Sequence, residues 1–292
     1  CLEILNGYDE DFNCQDGWDL WLRFINKFGV KNINLPLFYY RQHQNNLSAK
    51  QEKITKARRS HKERSQKTMA APNLGVIICR SNFDFELDCW SLKLGTSSLL
   101  ELSIEKAINC GFDRIIVACD NPNVEEIVKA KHDPSIFFHQ REISETVSTV
   151  SPAITLRKIV AKYDEDRTGL VTVLHPQAAL VSAATINELS STLLSFDCDS
   201  VMFAQEEHGL LFSRGEFGLT PINNFRRSGI RSEKDVVFSD VGLGYCAKSS
   251  NIATGTIFGP RHLGIAAPDD EKLFISSYLE LDTAQIILEQ KG

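Results

Sequence analysis

The stretch LGVIICRSNFDFELDCWSLKLGTSSLLE, Leu74 to Glu101, decides the fold. Its opening is a short apolar run without polar alternation, the pattern of a strand buried on both faces. The run empties into an irregular loop and then into a helix expected over about Ser97 to Cys110. In α/β proteins a strand, loop and helix in this order usually carry the ligand site. Here the loop holds Asp84, Glu86 and Asp88, so it reads as a phosphate cradle, as one that has lost its function, or as an ordinary acidic loop.

Outward from this stretch the same alternation continues. RIIVACD reads as a strand, Asn123–Lys131 as a helix, SIFFH as a strand and Val150–Tyr163 as a helix. GLVTVLHP, then Ala184–Ser195, then DSVMFAQ give a further strand, helix and strand. Val- and Ile-rich strands separated by helices predict an α/β, doubly wound, mostly parallel sheet with helices on both faces. Ligands of such sheets bind beyond the carboxyl ends of the strands, which places Arg80, Asp120 and His175-Pro176 at the candidate site.

Three zones organise the chain: an aromatic-rich zone over 1–48, a basic connector over 49–72 and the α/β domain over 73–292. In the first zone WDLWLRFINKFGV places Trp18, Trp21, Leu22, Phe24 and Ile25 at helical spacing, and INLPLFYYR follows as a strand. The connector carries Lys50, Lys53, Lys56, Arg58, Arg59, Lys62, Arg64 and Lys67 against Glu52 and Glu63, a net of +6 in a chain of net charge −6. Such a segment can meet nucleic acid or anionic lipid, or be a solvated linker helix. Its near lack of aromatics for base stacking favours the linker, so no nucleic-acid partner is expected.

The chain has 292 residues and 42% apolar content, enough for a sizeable core. No apolar run reaches the roughly 20 residues of a membrane span, and no export signal opens the chain, so a cytoplasmic protein without a membrane span is expected. Cys1 stands first and the opening residues read as the middle of a fold, an expectation of a fragment whose N-terminal portion precedes it. Eight cysteines show neither a C-x-x-C pair nor zinc-ligand spacing, which favours free thiols over disulfides.

GVIICR, LLELSIEKAINCGFDRIIVACD and the segments after them resemble the acylneuraminate-type cytidylyltransferases, which make CMP-activated sugar acids. The family opens on A-R-x-x-S-K-x-x-x-x-K-N-x-x-x-x-x-x-K-P-L-L-x. Laid on without a gap, its arginine falls on Arg80 and its Leu-Leu on Leu99-Leu100. Its S-T-D is similar to Ala118-Cys119-Asp120, its R-P-x-x-L-A to Gln140-Arg141-Glu142-Ile143, and its L-Q-P-T-S-P-L-R to Leu174 through Val181. NNFRRSGIRSEKDVVFSDVGLGYCAK resembles the arginine-rich acceptor segment leading into an N-G-A-I-Y strand, and YLELDTAQ resembles D-I-D-T-x-E-D. The resemblance covers about 74–290 and implies a nucleotide-diphospho-sugar transferase-like fold. It also implies CTP and a sugar acid as substrates, Mg2+ as cofactor, and a possible homo-oligomer.

In such a reaction a sugar hydroxyl attacks the α-phosphate of CTP and pyrophosphate leaves, so catalysis is alignment plus charge neutralisation. The resemblance assigns Arg80 and Asp120 to the reacting centre, Arg80, Lys93, Gln140, Arg141, Arg226 and Arg227 to nucleotide and substrate binding, and Glu280 and Asp282 to the metal. The bland alternatives are a surface arginine for Arg80, a helix cap for Asp120 and a solvated strand edge for Glu280 and Asp282. The family's two loop lysines fall on Asp84 and Cys89, and its glycines on Ser81 and Asn82. A carboxylate about 6 Å from a phosphate charge is repelled by on the order of 3 kcal/mol at an effective dielectric near 20. The loop therefore stands where a phosphate cradle belongs with the wrong chemistry for an efficient one, and the runner-up reading is an inactive module that binds a nucleotide, sugar or protein partner.

GYDEDFNCQDGWDLWLRFINKFGVKNINLPLFYYRQHQNNLS is similar to the end of the catalytic region of family-2, GT-A-type glycosyltransferases. There an E/Q-D-x-D-L-W-L-R helix precedes a strand ending in Y-R-x-H-x-x-S, and the family's general base corresponds to Asp16. Gly17 and Trp18 depart from the pattern, so the base can equally be another nearby acid. The nucleotide-binding strands that carry the D-x-D metal motif in that class are absent from the chain. The resemblance implies a surface-glycan biosynthesis protein in which a cytidylyltransferase-like module follows a glycosyltransferase.

Overall fold

The computed structural model describes residues 2–8, 16–25, 27–29, 71–83, 85–207, 209–222 and 237–291. The chain forms two compact units, one of Cys1–Ala71 with Ser191–Cys198, the other of Pro72–Ser190 with Asp199–Gly292.

In the first unit a 3-10 turn, Glu3–Leu5, precedes helix α1, Asp16–Ile25, the helix expected from the aromatic spacing. Arg23 on α1 donates to the Leu5 carbonyl and, at 2.9 Å, to that of Gly7. The rings of Trp21 and Phe24 stack at 6.4 Å. The strand expected at INLPLFYYR and the basic connector lie outside the described residues.

The second unit begins with β1, Asn73–Ile78, then β2, Lys93–Leu94, β3, Ser97–Ser98, and α2, Leu99–Cys110. It continues through β4, Arg114–Cys119, α3, Asn123–Ala130, β5, Ile136–Gln140, α4, Ala153–Tyr163, β6, Leu170–Leu174, and α5, Ala183–Phe196. Then come β7, Ser200–Glu207, β8, Phe212–Gly215, β9, Gly218–Pro221, β10, Val237–Lys248, α6, Ser249–Ala253, β11, His262–Ile265, and α7, Tyr278–Lys291. The main sheet has the order β11-β7-β10-β6-β1-β4-β5, with β2–β3 and β8–β9 as separate hairpins. The sheet is parallel except for β10, which runs antiparallel to both β6 and β7. The expected α/β, mostly parallel architecture is the one observed.

The apolar runs form the central strands because those strands are covered on both faces. On one face α4 and α6 bring Leu156, Ile159, Val160 and Ile252 against Leu74, Val76, Val171 and Val173. On the other, α2 packs across β1 and β4. Ser98 caps α2 in a capping box, accepting from the Glu101 amide while the Glu101 carboxylate accepts from the Ser98 amide. Gly111, in the left-handed region at φ 73°, ends that helix. The six cysteines among the described residues are free thiols, and five of them are buried.

The topology fixes where a ligand can enter. From β1 the chain builds outward through β4 and β5, then crosses back through α4 to β6 on the other side of β1. That reversal opens a crevice beyond the carboxyl ends of β1 and β6, the switch point of the sheet.

Gly75 on β1 faces the Phe112 ring so closely that a Cβ there would lie 2.3 Å from Cδ2. Gly75→Ala is expected to cost about 1–3 kcal/mol in urea denaturation through overpacking. A second change, Phe112→Leu, should recover part of that loss.

Candidate functional site

At the end of β1 the chain turns through Arg80 and Ser81 into a loop pinched at its base. The Asp88 amide donates to the Ser81 carbonyl at 2.7 Å, and Asn82 bridges Leu87 in antiparallel pairing. Asp88 itself is left-handed, at φ 49°, and its carboxylate accepts from the Trp90 indole at 3.0 Å and the Asn121 amide group at 3.2 Å. Phe83 and Phe85 meet edge to face at 6.1 Å, and Phe85 meets Tyr278 of α7 at 5.7 Å. Tyr278 also donates its hydroxyl to Glu86. Beneath the loop, Cys89, Leu94, Leu99, Ile275 and Ala284 form a small buried core with those aromatics against its edge. Aromatic packing therefore stands where a cradle would need open backbone amides.

Two arginines flank the loop, and each meets a backbone carbonyl. Arg80 donates to the Thr146 carbonyl at 3.2 Å and lies over the Phe83 ring at 5.1 Å. Arg141, buried at 5% exposure, donates to the Cys79 carbonyl at 2.8 Å, the Glu145 carbonyl at 2.7 Å and the Thr155 hydroxyl at 3.2 Å. Burial raises the Glu145 pKa, but hydrogen bonds from Lys158 and Thr155 outweigh it and hold the carboxylate below its ordinary value. Asp120 accepts from the Ser81 amide at 2.7 Å and the Thr146 hydroxyl at 3.3 Å. It does not cap α3, where Asn121 takes the Asn123 amide instead.

The structure thus brings Arg80, Asp120, Gln140 and Arg141 together at the ends of β1, β4 and β5. Gln140 donates to the Asp120 carbonyl at 2.8 Å and the Arg141 carbonyl at 3.2 Å. Lys93 lies on the hairpin before α2 and pairs with Glu101 at 3.4 Å, largely exposed. Cys89 is wholly buried, accepts from the Gln177 amide group at 3.2 Å, and has its thiol pKa pushed up by burial. Asp16 begins α1, and its side chain, like Asp84, Arg226 and Arg227, lies outside the described residues.

Magnesium, implied by the family resemblance, requires converging oxygen ligands. Glu280 instead accepts from the Ser276 amide and hydroxyl, both at 2.7 Å, and from the Ser277 hydroxyl at 2.9 Å, and so caps α7. Those bonds, first that from the Ser276 side chain, lower its pKa. Asp282 is exposed two residues further along α7, so the two carboxylates point about 200° apart around the helix and do not face one ion. Among the described residues no three His, Cys, Asp or Glu side chains gather as a metal site. Glu280 and Asp282, placed in this way, do not fit the ion.

On the far side of the switch point lies an aromatic cluster that the sequence reading left unassigned apart from His175. His175 follows β6 and meets Tyr245 of β10 and Phe274, each at 6.3 Å. Phe258 meets Tyr245 at 5.9 Å and His262 of β11 at 4.6 Å. Strand register puts Tyr245 opposite Met202 and Met202 opposite Gly264, so Tyr245 and His262 share one face of the sheet. His262 Nδ1 bonds the Ser200 hydroxyl at 2.8 Å, which also accepts from the Gly259 amide. Among the described residues the Tyr245 hydroxyl and His262 Nε2 are buried without a hydrogen-bond partner. Unpartnered buried polar atoms cost about 1–3 kcal/mol each. Burial raises the Tyr245 phenol pKa well above its ordinary value, so the hydroxyl keeps its proton at neutral pH and remains a donor. The available sequence signals were the N-G-A-I-Y-like strand for Tyr245 and the strand-end position of His175.

Residues 92–210 match the family model described as cytidylyltransferase. Among solved structures, the chain is similar to CMP:2-keto-3-deoxy-manno-octonic acid synthetase complexed with CTP, at TM-score 0.54 and 12% identity, covering 76% of this chain and 100% of that one. It is similar to 4-diphosphocytidyl-2C-methyl-D-erythritol synthase from Anaerococcus prevotii, at TM-score 0.55 and 12% identity, covering 75% and 96%. Another 4-diphosphocytidyl-2C-methyl-D-erythritol synthase aligns at TM-score 0.54 and 12% identity, covering 76% and 100%. At this identity the likeness is one of fold. No curated protein matches the chain in sequence.

Arg141→Leu removes three hydrogen bonds from a buried cation, leaving the Cys79 and Glu145 carbonyls without it. It is expected to destabilise by about 2–4 kcal/mol in chemical denaturation, while Arg80→Ala costs under about 1.5 kcal/mol. Burial, partly offset by Asp240, lowers the His175 pKa to about 4. The unfolded chain, with a histidine pKa near 6.5, takes the proton first, so His175 lowers stability progressively as pH falls from about 6.5 toward 4. Wild type should lose on the order of 1 kcal/mol per pH unit relative to His175→Gln across that window.

Proposed function

We propose, starting from the cytidylyltransferase-like domain that residues 92–210 carry, that this module holds a hydroxyl-rich sugar ligand and does not transfer a cytidylyl group. The observation that carries this reading is the closed first loop. The Ser81 amide is bound to Asp120, the Asp88 amide to Ser81, and Arg80 and Arg141 both meet backbone carbonyls. No cation stands at the two positions where the family resemblance expects lysine, which are Asp84 and the buried Cys89. Phosphoryl transfer needs donors and cations preorganised toward developing charge. This loop directs its donors at itself and adds acids around them. The matched region also begins at Leu92, beyond the loop.

The aromatic cluster that runs from His175 at the end of β6 through Tyr245 to Phe258 supports the ligand-holding part of the proposal. Aromatic rings beside polar atoms without a hydrogen-bond partner, here Tyr245 Oη and His262 Nε2, are the ordinary makeup of a small-molecule site. Sugars fit that combination because their C–H faces lie on aromatic rings while their hydroxyls both donate and accept. Together with the glycosyltransferase-like segment at 1–48, this supports a place in surface-glycan assembly, with the module holding a sugar or sugar-bearing acceptor for the transferase. An active cytidylyltransferase is the competing reading, favoured by the fold and by Arg80 and Asp120 lying together.

Calorimetric titration separates the two. CTP with magnesium should give no binding tighter than about 1 mM to the wild type, and pyrophosphate should not be released in the presence of a sugar acid. Asp84→Lys should tighten CTP binding roughly tenfold by exchanging a repulsive charge for a charge-assisted contact. Micromolar binding by the wild type, or pyrophosphate release, would favour the active enzyme.

A further inference from the structure

The aromatic cluster around His175, Tyr245 and His262 has a charged neighbour that the proposed function leaves unused, Asp240 of β10. Pairing across the sheet sets Asp240 opposite Ala204, Tyr245 opposite Met202 and His262 opposite Ser200. Residues 200, 202 and 204 of β7 face the same way, so Asp240, Tyr245 and His262 lie on one face of the sheet. The register of β10 shifts between Asp240 and Tyr245, the kind of irregularity that re-aims side chains beside binding sites. Within it the Asp240 carboxylate accepts from the Gly242 amide at 2.8 Å through Oδ1. The backbone at Gly242 in turn lies against the Phe274 ring, where a Cβ would come within 3.3 Å of Cδ2. Phe274 meets His175, and His175 meets Tyr245. The carboxylate is therefore one tight turn of chain away from the rings, and it is exposed, as is Phe258 at 47%.

Charge then sorts the ligands. Burial keeps His175 and His262 neutral and the Tyr245 phenol protonated at neutral pH, while the negative charge of Asp240 acts on all three. Arg141 reaches Tyr245 as well, but its guanidinium is held by the Cys79 and Glu145 carbonyls. Among the described residues the cluster thus offers a ligand one carboxylate, aromatic faces and uncharged dipoles. A cation gains from the carboxylate and from the ring faces, whereas an anion is repelled by both. We infer that the ligand held here is an amino sugar, whose protonated amine pairs with Asp240 while its C–H face lies on the rings, and that sugar acids are turned away. This inference rests on the sugar-holding reading of the module, and it sets the substrate class against the sugar acid that the family resemblance implies. Asp240 is the residue that determines specificity: Oδ1 stays on the Gly242 amide, and Oδ2 faces the amine.

Ligand-observed magnetic resonance titration of the whole chain with glucosamine, glucose and glucuronic acid tests the inference. In about 50 mM salt glucosamine should bind roughly fivefold tighter than glucose, the size of one partly exposed ion pair, and glucuronic acid roughly fivefold more weakly than glucose. Asp240→Asn keeps an acceptor for the Gly242 amide and removes the charge, so the three sugars should then bind alike. If that variant fails to fold, salt decides on the wild type: raising it to about 500 mM should bring glucosamine down to the affinity of glucose. Equal binding of glucosamine and glucose by the wild type, tighter binding of glucuronic acid, or a preference that survives both Asp240→Asn and salt would overturn the inference and leave the sugar-holding reading standing. Failure of all three sugars to bind at about 50 mM would overturn that reading and this inference with it.

Discussion

The carboxyl edge of the sheet depends on the guanidinium of Arg141. From one buried point it reaches the carbonyl of Cys79 at the end of β1, the carbonyl of Glu145 in the loop after β5 and the hydroxyl of Thr155 on α4. The two carbonyls sit where regular structure has just stopped, and Thr155 stands in the first turn of α4. A buried carbonyl without a donor is costly, and so is a buried cation without acceptors. One side chain satisfies both requirements at a place where three elements converge. Glu145 completes the arrangement from below, with its carboxylate on Thr155 and Lys158 and its carbonyl on Arg141.

With that edge fixed, the first loop follows. The Arg141 bond to the Cys79 carbonyl sets where β1 ends, and Asp120 receives the next available amide, that of Ser81. The loop then closes on its own backbone through Ser81 and Asp88, and its aromatics pack toward α7. In a triphosphate-binding loop these amides and cations would face outward, pre-arranged for anionic oxygens. Here the same kinds of group are turned into structural bonds. The β1–β4 side of the crevice is thereby tied up in the protein's own hydrogen bonds, while the unpartnered Tyr245 hydroxyl lies among aromatic rings packed on β10.

Much of this was legible in the sequence because local pattern and global packing agree over the sheet. Unbroken apolar runs such as Ile115–Cys119 can satisfy their pattern only between two covering layers, and those runs are central strands. The lack of cations in the loop was legible too, since charge is a property of composition. What the sequence did not convey was direction. Arg141 reads as a substrate arginine until its acceptors are known to be carbonyls of Cys79 and Glu145, residues 62 and 4 positions away. Glu280 reads as a metal ligand until the helix start at Tyr278 places it three residues after Ser277, in a cap. Tyr245, Phe258 and His262 are ordinary apolar-strand and loop residues in sequence, and only the antiparallel insertion of β10 between β6 and β7 sets them around one space.

The loop after β1, on the phosphate side of the crevice, is occupied by the protein's own hydrogen bonds. Residue-resolved amide hydrogen exchange at Ser81 and Asp88 tests it most directly. The account predicts that both amides are protected in the free protein and that millimolar CTP with magnesium leaves their exchange unchanged. Rapid exchange at both positions in the free protein, slowed on adding CTP, would show a loop that waits for phosphate and would contradict the account.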